Sequence, residues 1–112
     1  MRAVRRLREG GIRFVTSDAV LVEFLTYFSG WGQVARAAAV DYTRNLRIEP
    51  AVDGIAHSRE LFDAALDFYL RRPDKGYSMT DCMSMVICHD AQIADVLTAD
   101  HDFEQEGFTI LL

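Results

Sequence analysis

The chain has 112 residues, half of them hydrophobic, enough for one globular domain with a modest core and room for one site. Its formal net charge is -5, from seventeen acidic and twelve basic side chains, which excludes the uniformly basic footprint of a protein that holds nucleic acid by charge alone. Any role on nucleic acid therefore calls for a cation. No apolar run approaches the roughly 20 residues of a membrane span, and no signal-like apolar core follows the arginine-rich opening.

Residues 1–9 place Ala3, Val4 and Leu7 on one stripe, which predicts a helix stopped by Gly10-Gly11. Arg2, Arg5, Arg6, Arg8 and Arg13 gather at this end, as a solvated helix face or, alternatively, as a phosphate-binding arm. A short β-branched strand is predicted over 12–16, running into Ser17-Asp18, either of which can cap a helix over 19–28. Ser29-Gly30 breaks that helix, helical spacing resumes over 31–45, and 47–50 suggests a brief strand. Over 57–71, Leu61, Ala65, Phe68 and Tyr69 share one side of a further helix, and Pro73-Asp74-Lys75-Gly76 then turns the chain. Another helix is predicted over 80–89, a buried strand over 95–99, and a last strand over 108–112 after the polar turn around Gly107.

This alternation predicts an α/β layered domain with a mainly parallel sheet, since parallel strands need helical crossovers. Ligands in such sheets bind beyond the carboxyl ends of the strands, so acids just after a strand or at a helix N-terminus carry the interest. Glu23 lies in Ala19-Val20-Leu21-Val22-Glu23-Phe24-Leu25, an almost wholly apolar helix that predicts burial. A carboxylate buried there needs an arginine or a metal, and the other option is a solvent-facing position. Asp81 falls in the first turn of its helix, after Ser78 and Thr80, where capping and the helix dipole explain an acid without any ligand. Asp100 leaves the carboxyl end of the strand over 95–99, and Asp102 follows two residues later in a turn that favours aspartate anyway. Three acids at one end of a sheet repel one another unless a hard cation such as Mg²⁺ or Mn²⁺ lies between them.

The remaining candidates carry less. His101 sits between two aspartates and could move a proton, but a turn histidine is ordinarily solvated; His57 and His89 have no partner in the sequence. Met79, Met83 and Met85 read as core filler, and Trp31, Phe24, Tyr27 and Phe28 as packing rather than base-stacking platforms. Cys82 and Cys88 stand six apart on one helix and face different ways, so both thiols are expected free, which points to a reducing cytoplasm. Neither a phosphate-cradling glycine loop nor cysteine–histidine zinc spacing is present.

Three stretches together resemble the successive motifs of the PIN-domain family, in particular its VapC-type toxins: Thr16-Ser17-Asp18-Ala19-Val20-Leu21-Val22-Glu23, Gly76-Tyr77-Ser78-Met79-Thr80-Asp81-Cys82, and the segment from Leu97 through Asp100 and Asp102 to Phe108. The resemblance spans essentially the whole chain. It implies a three-layer α/β domain over 1–112 and a Mg²⁺- or Mn²⁺-dependent endoribonuclease in which Glu23, Asp81 and Asp100 are catalytic metal ligands. Asp102 becomes a supporting ligand by the same resemblance. Ser78 and Thr80 become groups that orient a ligand or contact phosphate, and Arg72 and Lys75, which are otherwise ordinary turn residues, meet the RNA backbone. The implied partners are an RNA substrate and an antitoxin protein.

Members of that family begin with a central strand ending in Asp-Thr/Ser, and this chain starts at the arginine-rich helix that normally follows. The expectation is an N-terminally truncated domain with its central first strand absent, one acidic ligand short and impaired in activity. The flanking strands could close up, a second chain could cover the gap, or the sequence is a piece of a longer product; a shielding homodimer is the favoured expectation. The alternative function is a non-catalytic remnant of the same fold that serves as a protein-interaction module.

Overall fold

A computed structural model describes residues 10–96 and 101–110, so the helix predicted over 1–9 lies outside the described residues. The chain divides into two compact units, one ending at Ala56 and the other starting at His57.

The first unit opens with β1 (Phe14–Ser17), which runs straight into α1 (Asp18–Phe28). Ser17 is the residue that caps: its backbone is extended, with φ -137° and ψ 161°, and its Oγ accepts the Val20 amide at 3.3 Å. Ser17 is also buried, so Ser17→Ala is expected to lower the unfolding free energy by about 1 kcal/mol, read by chemical denaturation. Gly32, with φ +95°, turns the chain into α2 (Gln33–Ile48), a left-handed conformation that a side chain would strain. β2 (Val52–Ile55) then lies parallel to β1, with Phe14 opposite Val52 and Ser17 opposite Ile55. Arg13 grips the start of this pair, donating from Nη2 to Asp53 at 2.6 Å and to the Pro50 carbonyl at 3.1 Å.

The strand expected over 47–50 is not formed. The helix continues through Ile48, and Glu49 turns extended, with φ -71° and ψ 119°, because the following Pro50 disfavours the helical conformation before it. The strand can begin only beyond the proline. Leu21, Ala39 and Ala51 form the buried apolar part of this unit, and Phe24 of α1 meets Tyr42 of α2 at a ring separation of 5.2 Å. Tyr27 and Trp31 stack on each other at 5.4 Å but remain exposed, so the expectation that all four aromatics are packing residues holds only for Phe24 and Phe28.

The second unit holds α3 (Arg59–Leu70), α4 (Met79–Asp90), β3 (Asp95–Val96), α5 (Asp102–Gln105) and β4 (Thr109–Ile110). Ser58 caps α3 by accepting the Leu61 amide at 3.1 Å. α3 packs on α4 through Ala65 and Phe68, one turn apart, whereas Tyr69, expected on the same side, is exposed. Cys82, Met83, Met85 and Val86 make α4 the centre of the core, with Phe103 and Phe108 closing it beneath α5. Both cysteines are free. β3 pairs parallel with β4, Asp95 opposite Thr109 and Val96 opposite Ile110. Asp95 is exposed and Val96 half-buried, so the described part of the strand is less covered than its apolar sequence predicts, and Leu97, Thr98 and Ala99 lie outside the described residues. Among the described residues no helix is long and apolar enough to cross a membrane.

Candidate functional site

Asp81 owes its place to the start of α4. Ser78 is the N-cap, its Oγ accepting the Asp81 amide at 3.1 Å, and Asp81 Oδ2 accepts the Ser78 amide in return at 3.2 Å. This reciprocal pair is a capping box, and it holds the carboxylate against the positive end of the helix dipole. The cap that the sequence left open between Ser78 and Thr80 is thus Ser78; Thr80 is half-buried in the first turn. Burial first, and then the Asp81 charge, push the neighbouring Cys82 thiol upward, which keeps it protonated and unreactive.

Asp102 opens α5, half-buried, and accepts a bond from Gln105 Nε2 at 3.3 Å. His101, just before it, is exposed and lies 3.5 Å from Glu104, which gives it a local carboxylate rather than a place in a site. Asp100 lies outside the described residues. Among the described residues, no three His, Cys, Asp or Glu side chains form a group that could hold a metal ion.

Glu23 corrects one step of the sequence argument. Its helix is apolar nearly all round, yet only Leu21 is buried there; Val22 is 61% exposed and Glu23 is exposed as well. The solvent-facing alternative is the one realised in this unit. Arg72 has partners within its own unit. Its guanidinium lies 3.7 Å over the Phe68 ring, and its Nε donates to Glu106 Oε1 at 2.5 Å, which fixes the side chain within the turn. Lys75 remains exposed in the turn before α4.

Glu106 and Tyr77 escaped the sequence argument. Tyr77 is buried, and its hydroxyl donates to Glu106 Oε1 at 3.1 Å, so one carboxylate oxygen accepts from both Arg72 and Tyr77. The Arg72 bond above all holds the Glu106 carboxyl below its ordinary range, while burial and the bond to Glu106 push Tyr77 up to about 12. These contacts bridge 34 and 29 residues of chain, and no local pattern announces them.

No family model matches the chain, and no curated protein matches it. Among solved structures it is similar to VapC20 of Mycobacterium tuberculosis, described as a sarcin-ricin loop cleaving toxin, at 26% sequence identity and a TM-score of 0.75, over 87% of this chain and 72% of that one. The parallel strand pairs, the helices between them and this likeness agree: the chain carries the PIN-domain fold of the VapC-type toxins.

Proposed function

We propose that the chain is a metal-dependent endoribonuclease of the VapC toxin type, hydrolysing RNA phosphodiester bonds. The observation that carries this reading is the likeness in fold to a toxin described as cleaving the sarcin-ricin loop. Glu23, Asp81 and Asp100, with Asp102 in support, are the proposed ligands of Mg²⁺ or Mn²⁺. An all-carboxylate oxygen set suits such hard cations, so the donor chemistry fits. When bound, the cation supplies a water of lowered pKa and neutralises charge growing on the phosphate oxygens. The chain's own residues supply position: the capping box fixes Asp81 at the helix start, and the Ser78 and Thr80 hydroxyls lie in that same first turn to orient a ligand or bond a substrate oxygen. Lys75 and Arg72 are the proposed contacts to the RNA backbone, with Arg72 held in place by Glu106.

An antitoxin protein and a second copy of the chain are the proposed partners, and the exposed Val22, Tyr27, Trp31 and Val34 offer apolar surface to a protein. A cytoplasmic location is consistent with two free cysteines. The same exposed surface favours the second reading, an interaction module without catalysis. Gel analysis of a single-stranded RNA incubated with Mn²⁺ or with a chelator separates the two. Discrete, chelator-sensitive fragments are expected; RNA left whole in both lanes would leave the interaction module.

A further inference from the structure

Glu106 stands on an unusually well-anchored turn. Its own amide bonds the Phe103 carbonyl at 3.2 Å, the next amide bonds Glu104 at 3.0 Å, and the Phe108 amide returns to Phe103 at 3.1 Å, with both phenylalanines buried. From that base its carboxylate reaches two separate segments: Arg72, just past α3, and Tyr77, immediately before the N-cap of α4. Asp102 opens the short α5, and Glu106 follows its last residue. The Tyr77–Glu106 hydrogen bond therefore joins the turn that follows Asp102 to the residue before Ser78, whose capping box holds Asp81.

We propose that Glu106, acting through the Tyr77 hydroxyl, is a positioning residue that sets the start of α4, with Asp81, against the turn that carries Asp102. The proposal rests on the functional reading above. Two carboxylates meant for one cation must be held at a fixed separation, and here each belongs to a different helix with a loop of its own. The capping box fixes Asp81 relative to its own helix. Glu106 ties that helix start to the neighbouring turn, and Arg72, clamped on Phe68, stops the carboxylate from swinging away. Groups that orient metal ligands from outside the ligand set govern affinity in this way.

The test is a titration of the full chain with Mn²⁺ alone, followed by electron paramagnetic resonance, well below the unfolding temperature. Tyr77→Phe, which removes one hydroxyl and keeps the ring in the core, is expected to weaken Mn²⁺ binding about tenfold. Glu106→Gln keeps an acceptor oxygen and is expected to bind more tightly than Glu106→Ala. Ser58→Ala, which uncaps α3 in the same unit, is expected to lower the unfolding midpoint without moving the titration, separating positioning from general loosening. Native binding with an unchanged Tyr77→Phe titration would overturn the positioning role and leave the proposed function standing. A native chain that binds no Mn²⁺ would overturn the ligand set itself, and this role with it.

Discussion

Asp81→Asn is expected to lower Mn²⁺-dependent RNA cleavage by about a hundredfold or more, the upper range for groups that merely orient ligands being the floor for a ligand. Asparagine still presents an oxygen to the Ser78 amide, so the capping box persists while the charge at the helix N-terminus is lost, about 0.3–1 kcal/mol. Asp81→Ala removes the ligand and the reciprocal bond together. The pair of variants therefore divides the two tasks of one side chain: both are expected to lose cleavage and Mn²⁺ binding, and alanine alone to lower the thermal midpoint clearly. If asparagine unfolds the chain as readily as alanine, the carboxylate is a structural cap whose charge matters more than its oxygens.

Glu106→Ala is expected to cost about 2–4 kcal/mol of unfolding free energy, measured by chemical denaturation, because it leaves two partly or fully buried donors without an acceptor. The Arg72 side chain is 26% exposed and keeps its Phe68 contact, which holds the loss below that of a fully buried pair. The pH dependence has a definite sign. Glu106 titrates lower in the folded chain than when unfolded, chiefly through the Arg72 bond, so the unfolded state binds more protons on the acid side. Its stabilisation is present above the ordinary carboxylate range and is lost as pH falls through the folded value. Tyr77 gives the opposite edge: raised from 10.0 to about 12, it contributes stability that is full below its ordinary value and lost as pH climbs through the folded one. In Glu106→Gln the acid-side loss should flatten, while native protein shows it.

The alternation of helices and strands was legible because its signals are local. Ser17 next to an apolar run marks a capped helix, and the one-turn spacing of Ala65 and Phe68 marks the buried side of α3. The strand assigned to 47–50 failed on a competition that the pattern alone does not resolve, a helix extending until proline forbids it. Burial of Glu23 failed for a different reason. An apolar surround within a helix says what could be covered, not what covers it, and Val22 and Tyr27 stay exposed beside it at 61% and 64%. Asp81 was visible as an acid at a helix start, and its capping role was the local explanation from the outset. The Arg72–Glu106–Tyr77 contact was invisible: its members are ordinary residues, and only the fold brings them together.

Whether this chain cuts RNA through its carboxylates is open to a direct measurement. A fluorogenic single-stranded RNA, given to native protein and to Asp81→Asn prepared identically, with Mn²⁺ present or chelated, decides it. Signal is expected from the native chain with Mn²⁺ only, and its loss in the variant. Equal signal from both proteins, or none from either, would contradict the proposed function.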